Sequence, residues 1–555
     1  MKFTRRDLLV WSAGAAAGLI VTPVPWKLLD DTSIWSQNWP WIPQPARVPV
    51  EIKQSACTLC PNGCGLRVRM AGGWPVGIAG AGTHPVTRGA LCPLGFAAHQ
   101  LNWHPQRLRT VLHRGNSSSW SNAQRAFAKA CEVGQIVIID GYPGRAASAV
   151  LETFAQKQRG SYRVVEAPGL RALKPYETWS GVPASSLGYD LDNTQTVISF
   201  GAPLLDGWGA PGRFTRLWAE RAAGKNDPQL RLIQVDATLS RTAARAWQWI
   251  SIRPGSESAL AAGLAAALLE QKLVPARGPI PTVSLDEAGL KTGLTASAIR
   301  ELARMIVART PAVAIAAGDN AQVAALNVIL GAVGTPGGIV RRSKNAVPRA
   351  NADAVVASAR AVLIDSSVPW DFVPQTDAEV FRFAAWDGGS TKADWLLPAP
   401  GFLEELTDVP TVPTLAVETY AVAPSLVKPE SEVQSAAQFL AALEPSLIPA
   451  QKIILTRCEN IFRARKGTVY GEVTAPVTKV DSPTKLEEQL WKGAVWVGEP
   501  SPPGGIRCEL KEWPAAPTLR AGDDSPAWQP VPVLPPLASK LYNESSLRDA
   551  SDRRT

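Results

Sequence analysis

The sequence predicts an α/β protein in which buried strands alternate with helices, and two stretches support this prediction. Each stretch has an apolar run of strand length, a turn that contains glycine and a segment with helical periodicity. The stretches begin near residues 135 and 190. Strand, glycine turn and helix in this order form the repeating unit of a parallel sheet covered by helices. A chain of 555 residues also exceeds what one hydrophobic core usually serves, so several domains are expected.

The chain opens with a segment typical of an export signal. Arg5 and Arg6 precede an apolar run from Leu8 to Val21, which has the length of a signal-peptide core and is short for a membrane span. Paired arginines before such a run are typical of the twin-arginine (Tat) export route and argue against an ordinary buried helix. No small-residue cleavage site follows the run, so a retained N-terminal membrane anchor is the alternative to a cleaved signal.

Four of the seven cysteines lie in one region: Cys57, Cys60 and Cys64 in CTLCPNGC, and Cys92 in GALCPLG. A proline and a glycine give the first run the turn chemistry that lets three thiols converge. Such a thiolate set binds zinc or an iron–sulfur cluster. Structural zinc sites usually pair two separated C-x₂-C knuckles, whereas three clustered cysteines with a distant fourth are typical of a cluster. The spacing predicts a [4Fe-4S] cluster on these four cysteines, with zinc as the alternative.

The first strand–turn–helix unit follows this region. Residues 121–131 are predicted to form a helix, residues 135–139 a buried strand and residues 146–156 the next helix. The turn DGYPGR between strand and helix places main-chain amides at a helix N-terminus, where phosphate groups can bind. This turn alone does not identify a dinucleotide site, because any parallel α/β connection can carry such glycines.

The second unit has the order of a nucleotide-binding βαβ unit. Residues 190–201 contain a predicted strand that ends at a glycine, and residues 214–223 are predicted to be helical. Residues 230–235 are predicted to form a second strand, which ends at Asp236. A short strand at residues 247–250 then leads to the tract R-P-G-S-E-S-A-L and an Ala/Leu helix.

In that tract, Ser256 and Glu257 suit a helix N-terminus as a cap and as an acid that the helix dipole favours.

Composition places the chain among globular proteins, with 46% apolar and 19% charged residues. The net charge of +9 does not indicate nucleic-acid binding, because no run of Lys or Arg is longer than two residues. Cys131, Cys458 and Cys508 have no ligand spacing and are expected to be buried thiols. A disulfide between Cys458 and Cys508 is the alternative in an oxidising compartment.

The cysteine spacing C-x₂-C-x₃-C-x₂₇-C, together with GCGLRVRMAGGWPVGIAG and HPQRLRTVLHRG, resembles the iron–sulfur domain of the molybdopterin oxidoreductases. The tract R-P-G-S-E-S-A-L after Asp236, and A-D-W-L-L-P-A at residues 393–399, resemble later segments of the same family. In that family the cluster relays electrons between a buried pterin cofactor and an external carrier. The resemblance implies two doubly wound α/β lobes, and a cofactor-binding role that Ser256 and Glu257 could share as an alternative to simple capping.

The resemblance also implies a division of the chain. Residues 1–35 would be the Tat-type signal or anchor and residues 36–115 the [4Fe-4S] domain. Residues 116–190 with 345–450 would form one discontinuous α/β lobe, and residues 191–344 the second lobe. Residues 451–555 would be a C-terminal domain that is short for the family.

Three departures from the family pattern argue against a molybdenum site. Leu94 stands where many active members carry a basic residue, two positions after the fourth cysteine. No cysteine between Cys131 and Cys458 is available as a metal ligand. The third departure is the short C-terminal region. The remaining candidates for a molybdenum ligand have no supporting pattern: Ser180, Ser185, Ser186 and Asp190.

The opening WKLLDD…SIWSQNWPW and the closing SKLYNESSLR are most similar to molybdopterin-like subunits of menaquinone reductase complexes and of alternative complex III. The resemblance implies an exported electron-transfer subunit beside a ferredoxin-like multi-cluster subunit, a polytopic quinone-binding membrane subunit and a multihaem cytochrome c. One alternative is an active oxidoreductase that acts on a small oxyanion or sulfur compound with two molybdopterin guanine dinucleotides. Another is a zinc-stabilised assembly scaffold.

All four histidines lie close to Cys92 in the sequence. His99 or His104 could be hydrogen-bonded near the cluster or line a proton or cofactor path, and solvated or structural roles are the favoured alternative.

Changing Arg5 and Arg6 together to lysine is expected to leave the protein in the cytoplasm, because the paired arginines are the feature that marks the Tat route. Cell fractionation measures this, with Arg47→Lys as the matched control that should still be exported. N-terminal sequencing of the exported protein tests retention of the segment, and a sequence that starts well beyond Val21 would contradict it.

Overall fold

The fold was analysed in a computed structural model. It describes residues 4–22, 49–133, 135–165, 168–205, 208–224, 227–342, 359–365, 378–386, 393–412, 414–429, 432–500, 502 and 504–515. The segments at either end that resemble menaquinone reductase subunits lie outside these residues. The chain divides into two compact units, one of residues 1–52 with 69–76 and one of residues 53–68 with 77–555.

The first unit contains helix α1 (Arg5–Val21), which begins at a capping box. The Thr4 hydroxyl accepts a hydrogen bond from the Asp7 N–H, and the Asp7 carboxylate accepts one from the Thr4 N–H. Every side chain of α1 is exposed. Over the described ranges, no helix combines the length and the apolar character that crossing a membrane requires.

Three strands and a short helix frame the cysteine region. The strands form one sheet, with β2 in the centre: β1 (Val50–Ala56), β2 (Gly65–Ala71) and β3 (Trp74–Gly80). Helix α2 (Pro93–Ala97) follows, and a 3₁₀ turn continues it (Ala98–Trp103).

The first α/β lobe is built on a seven-stranded sheet. Its strands are β4 (Leu112–His113), β5 (Asn116–Ser117), β6 (Ile136–Asp140), β7 (Ser161–Val164), β14 (Ala361–Asp365), β15 (Glu379–Ala384) and β16 (Trp395–Pro398). Their order is β5-β4-β16-β15-β14-β6-β7, and the strands from β16 to β7 are parallel. Helix α3 (Trp120–Val133) precedes β6 in the sequence, and helix α4 (Ala146–Lys157) follows it.

These elements confirm the strand and helices predicted between residues 121 and 156. β6 and β14 are apolar until their last residue and buried along their whole length, as expected for parallel strands covered on both faces. The chain runs from β6 outward to β7, and later from β14 outward to β16 on the other side. The connections therefore diverge between β6 and β14, which makes this pair the topological switch point of the sheet.

The second α/β lobe contains a four-stranded parallel sheet in the order β11-β10-β9-β12. Its strands are β9 (Thr196–Phe200), β10 (Arg231–Asp236), β11 (Gln248–Ser251) and β12 (Ala312–Ala316). Its helices are α5 (Pro168–Arg171), α6 (Lys174–Ser180), α7 (Pro211–Arg221), α8 (Arg241–Arg245), α9 (Glu257–Glu270), α10 (Leu285–Thr292), α11 (Ala296–Val307) and α12 (Ala321–Leu330). Strands β8 (Leu187–Tyr189) and β13 (Ile339–Arg341) pair separately.

The core of this lobe extends beyond residues 191–344. It takes in Ala172, Leu173 and Tyr176 before that range and Ile506 after it. In this sheet the switch point lies between β9 and β12, because β10 and β11 follow β9 on one side while β12 returns to the other.

A separate five-stranded sheet has the strand order β17-β18-β21-β19-β20. Its strands are β17 (Thr407–Val409), β18 (Thr419–Ala423), β19 (Thr468–Tyr470), β20 (Ala475–Pro476) and β21 (Val495–Val497). The helices in this part of the chain are α13 (Ala436–Leu443), α14 (Ala450–Ala464) and α15 (Pro483–Trp491).

One prediction from the sequence is wrong, and one alternative is not realised. Ser256 stands at the N-cap position of α9 but does not cap it, because its hydroxyl donates to the Arg253 carbonyl at 2.5 Å. Cys458 and Cys508 are free thiols, as is Cys131. A disulfide between Cys458 and Cys508 does not form because Cys458 is buried in the core beside β18 and β19, whereas Cys508 packs on the core of the second lobe.

Asp408→Ala is expected to lower the free energy of unfolding by about 3 kcal/mol. The fully buried Asp408 carboxylate accepts from the Ala146 N–H at the start of α4 and from Arg457 at 2.5 Å, so it joins β17, α4 and α14. Denaturant unfolding measures the effect. Asp227→Ala, which removes an exposed carboxylate paired with Arg309, is the control with little effect. An unchanged midpoint for Asp408→Ala would contradict this role.

Candidate iron–sulfur centre

Three of the four predicted ligands lie in the loop that joins β1 to β2. Cys57 directly follows β1 and Cys64 directly precedes β2, and the Cys57 N–H donates to the Cys64 carbonyl at 2.8 Å. The loop between them reverses through Gly63, whose φ of 58° lies in the left-handed region that favours glycine. Because both ends of the loop meet at this hydrogen bond, the loop folds back on itself and its thiols lie close together.

Cys92 joins them from the start of α2, where it is the N-cap residue. Its Sγ accepts a hydrogen bond from the Gly95 N–H at 3.5 Å. All six pairs among the four thiols interact electrostatically. The structure therefore brings Cys57, Cys60, Cys64 and Cys92 together as the spacing predicts, while their role as cluster ligands stays a prediction.

Burial makes these thiols difficult to ionise without a cation. Cys57 and Cys64 are each only 3% exposed. Burial and, to a smaller extent, the neighbouring Cys92 raise the pKa of Cys60 to about 12. For Cys57 and Cys64 burial is again the first cause of a raised pKa, and the other thiols add to it. Thiolate ligands here need positive iron in place of their protons, so the donor set fits a cluster.

Hydrogen bonds to sulfur already surround this position. The Asn62 side-chain amide donates to Cys64 Sγ at 2.6 Å. Backbone hydrogen bonds at Asn62 and Leu59 favour the thiolates of Cys60 and Cys57. Bonds of this kind stabilise negative charge on sulfur and tune the reduction potential of a cluster. Asn62 is fully buried, and within the described ranges its amide oxygen has no hydrogen-bond partner.

The second lobe packs directly against the cysteine loop. Gly212 lies in the first turn of α7, and a Cβ built on it would stand 2.7 Å from the Asn62 amide nitrogen and 2.9 Å from Cys64 Sγ. No larger side chain fits without displacing one of these groups. Gly212 thus brings the N-terminus of α7 against the thiol site.

His84 fixes the other side of the loop. It is 4% exposed, and its Nδ1 accepts from the Thr87 N–H at 3.1 Å. Burial lowers the pKa of His84 to about 4, although a backbone hydrogen bond at Gly63 opposes this shift. His84 is therefore a neutral structural histidine.

The two histidines proposed from the sequence make local bonds. His99 Nδ1 pairs with the Phe96 carbonyl oxygen, and His104 Nδ1 accepts from the Gln106 N–H.

Zinc remains untested as an alternative. Across the described segments, no three His, Cys, Asp or Glu side chains are placed to hold a single metal ion. A [4Fe-4S] cluster spreads its thiolates over four iron atoms and does not need that convergence.

The switch point of the first lobe is closed by a buried ion network. Asp140 ends β6 and Asp365 ends β14, and the two residues are register partners. Arg145 bridges them, with its Nη2 2.6 Å from Asp365 and 3.4 Å from Asp140. All three side chains are at most 5% exposed. The crevice in which a doubly wound sheet binds a dinucleotide thus holds a guanidinium and two carboxylates, and carboxylates repel phosphate.

The switch point of the second lobe is closed by an indole. Trp208 is 2% exposed, and its Nε1–H donates to the Ala317 carbonyl, just beyond β12, at 2.8 Å. Phe214 packs against the indole with 5.7 Å between the ring centroids. Arg145 and Trp208 therefore lie at the strand ends of the two sheets, where a doubly wound fold binds a dinucleotide.

The four candidate molybdenum ligands have separate environments. Ser180 donates to the Tyr176 carbonyl, and Asp190 accepts from the Gly337 N–H and from Asn193. Ser185 is half-buried. The Ser186 hydroxyl is buried and lacks a hydrogen-bond partner among the described residues. The structure does not gather these residues into one ligand set.

Comparison with known proteins identifies the class of this site. Residues 50–102 match the family model "Molybdopterin oxidoreductase Fe4S4 domain". The chain therefore contains an iron–sulfur domain of the molybdopterin oxidoreductases, and the predicted family resemblance and the predicted [4Fe-4S] cofactor are confirmed.

Two particular relatives are similar over longer stretches. The molybdopterin-binding-like subunit of menaquinone reductase from Nitratidesulfovibrio vulgaris is 28% identical over 80% of this chain and 72% of its own length. The thiosulfate reductase molybdopterin-containing subunit PhsA from Salmonella typhimurium is 22% identical over 60% of this chain and 48% of its own length.

The fold has a counterpart among solved structures. Acetylene hydratase from Pelobacter acetylenicus superimposes with a TM-score of 0.60 at 15% identity, over 80% of this chain and 74% of the hydratase. At this identity the likeness concerns the fold alone. It confirms the predicted mixed α/β architecture with an N-terminal iron–sulfur domain.

Cys60→Ser is expected to remove most of the cluster absorbance and to lower iron well below about four atoms per chain, because serine replaces one of four soft ligands. Visible absorption and iron analysis of the purified protein measure this. Cys131→Ser, which changes a thiol outside the site, is the matched control. Retention of about four iron atoms in Cys60→Ser would refute the ligand assignment.

Proposed function

We propose that this chain is an iron–sulfur electron-transfer subunit of a membrane-bound quinone oxidoreductase complex in a respiratory chain. Its own turnover of a small substrate is not part of the proposal. The observation that carries it is the closure of both switch-point crevices by the chain's own side chains, Arg145 in one and Trp208 in the other.

The residues around the thiol site suit an electron relay. When bound, the cluster supplies one-electron storage. Burial of Cys57 and Cys64 keeps water away, which limits the reorganisation that each electron transfer requires. Asn62 and the main-chain amides donate to sulfur, and they favour the extra negative charge of the reduced state.

The proposed setting follows from the relatives. The 28% identical protein is named as a menaquinone reductase subunit, and this supports a place in a quinone-linked complex. The proposed partners are a ferredoxin-like multi-cluster subunit, a polytopic quinone-binding membrane subunit and a multihaem cytochrome c. The twin arginines at residues 5 and 6 support export to the periplasmic side of the cytoplasmic membrane, with α1 as a cleaved signal or a retained anchor.

A second candidate function is an active molybdenum oxidoreductase. One observation favours it. The buried Ser186 hydroxyl has no hydrogen-bond partner within the described segments, so it is available to bind a ligand. Relatives named sulfite dehydrogenase and thiosulfate reductase support a sulfur compound as its substrate. Against it stand Arg145 and Trp208, which lie at the two switch points.

The purified subunit, or its complex, is expected to contain about four iron atoms per chain and no stoichiometric molybdenum or tungsten. The reason is that Arg145 and Trp208 lie at the two switch points, where a doubly wound sheet binds a dinucleotide. Elemental analysis with a pterin assay after denaturation measures this. About one molybdenum or tungsten per chain with released pterin would favour the second candidate. Zinc without iron would favour the zinc-stabilised scaffold.

A further inference from the structure

A small cavity of about 40 Å³ lies beside the cysteine loop. Ala56 and Thr58, which flank Cys57, form one wall, while Tyr142, Arg145 and Glu405 line other parts of it. Its volume has room for about three water molecules. The Tyr142 hydroxyl is buried here, and it has no hydrogen-bond partner in the part of the chain that the structure describes. Such a hydroxyl is stabilised when cavity water bonds to it.

Charges around the cavity are unevenly matched. The Arg145 guanidinium faces Asp365 and Asp140 through hydrogen bonds, and it also interacts electrostatically with Glu405. Arg145 therefore interacts with three carboxylates. Ser435 makes a hydrogen bond with the Glu405 carboxylate.

Neighbouring acids have their own cations. Glu404 pairs with Arg107 at 2.5 Å and does not line the cavity, while Asp408 pairs with Arg457. Protonating Glu405 would relieve the local excess of negative charge at the lowest cost, because the other acids already have direct ion pairs.

An electrostatic path links Glu405 to the thiol site. Tyr142 interacts with Cys60 and Cys57 on one side and with Arg145 on the other. Arg145 in turn interacts with Glu405, so Tyr142 and Arg145 lie between the thiol site and that carboxylate. These groups are buried or half-buried, so charges along the path interact more strongly than they would in water.

We propose that Glu405 is a proton-binding site coupled to reduction of the iron–sulfur cluster, so that one proton binds as one electron arrives. This inference rests on the proposed electron-transfer function. The electron comes from a reduced one-electron carrier such as a haem or a second cluster, which is oxidised in the step. The proton comes from solvent through the cavity and converts the Glu405 carboxylate to a carboxylic acid. No other bond forms or breaks.

The ionisation of Glu405 supports this assignment. Burial raises the pKa of Glu405 to about 7, although the Ser435 hydrogen bond and Arg145 lower it, and Asp365 raises it again. An added electron on the cluster raises this pKa further, since it is one more negative charge nearby. Below about pH 7 Glu405 is protonated in both redox states. Above that pH, reduction takes up a proton until the pKa of the reduced state is passed.

The test is a potentiometric titration of the cluster at several pH values, followed by electron paramagnetic resonance of the complete protein. The reduction potential is expected to be independent of pH below about pH 7 and to fall by up to about 59 mV per pH unit above it. For a one-electron couple, about 59 mV corresponds to a tenfold change in the equilibrium constant. Glu405→Gln is expected to abolish the slope. Glu459→Gln, the same change on an exposed helix position, keeps it. A slope that persists in Glu405→Gln overturns the assignment.

If Glu405→Gln does not fold, redox-difference infrared spectroscopy of the unaltered protein provides a second test. Above about pH 7, a carboxylic-acid band is expected to appear on reduction, and its absence overturns the inference. Iron content separates the two proposals. Protein without a cluster contradicts the proposed function, whereas protein with an intact cluster and a pH-independent potential contradicts only the coupling to Glu405.

Discussion

Four cysteine thiols, two of them buried and two half-buried, lie together at a junction of loop and helix, and the surrounding structure depends on how their charge is balanced. Burial raises the pKa of Cys57, Cys60 and Cys64, so thiolates at this point need a positive centre. Iron would provide that centre, and cluster binding would then contribute to folding of the loop. His84 and Gly212 hold the same loop from two other segments, so order at the cluster extends into the second lobe.

The two α/β lobes have the layout that usually binds dinucleotides, yet their strand ends make contacts within the protein. Arg145 joins the ends of β6 and β14, and Trp208 is hydrogen-bonded just beyond the end of β12. One of these closures also belongs to the charged network that reaches the cysteine loop through Tyr142. The same residues that close the first crevice therefore connect the cluster to Glu405, and this gives the fold a use that does not involve a pterin.

Much of the architecture could be predicted because its signals are local. The buried strand at residues 136–140 and the thiol spacing each depend on residues that are close in the sequence. Ser256 was predicted wrongly as a cap because its hydroxyl turned to a carbonyl three residues earlier, a choice that helix-start composition does not encode. The role of Gly212 depends on contact with a loop about 150 residues away in sequence, which no local pattern reveals.

The other functional residues share that limit. A sequence containing Asp140, Arg145 and Asp365 does not reveal that the three meet, because β6 and β14 become neighbours only in the folded sheet. The position of Glu405 beside the cavity comes from packing, which no local pattern reveals. Predicting such sites requires the strand order, which in turn depends on long-range pairing.

The central claim is that the chain's own side chains occupy both switch points while a cluster occupies the thiol site. A high-resolution density map of the protein as purified, with anomalous scattering recorded at the iron edge, tests it most directly. The account predicts iron among Cys57, Cys60, Cys64 and Cys92, a guanidinium between Asp140 and Asp365, and an indole against the Ala317 carbonyl. Density for a guanine dinucleotide in either crevice, with Arg145 or Trp208 displaced, would contradict it.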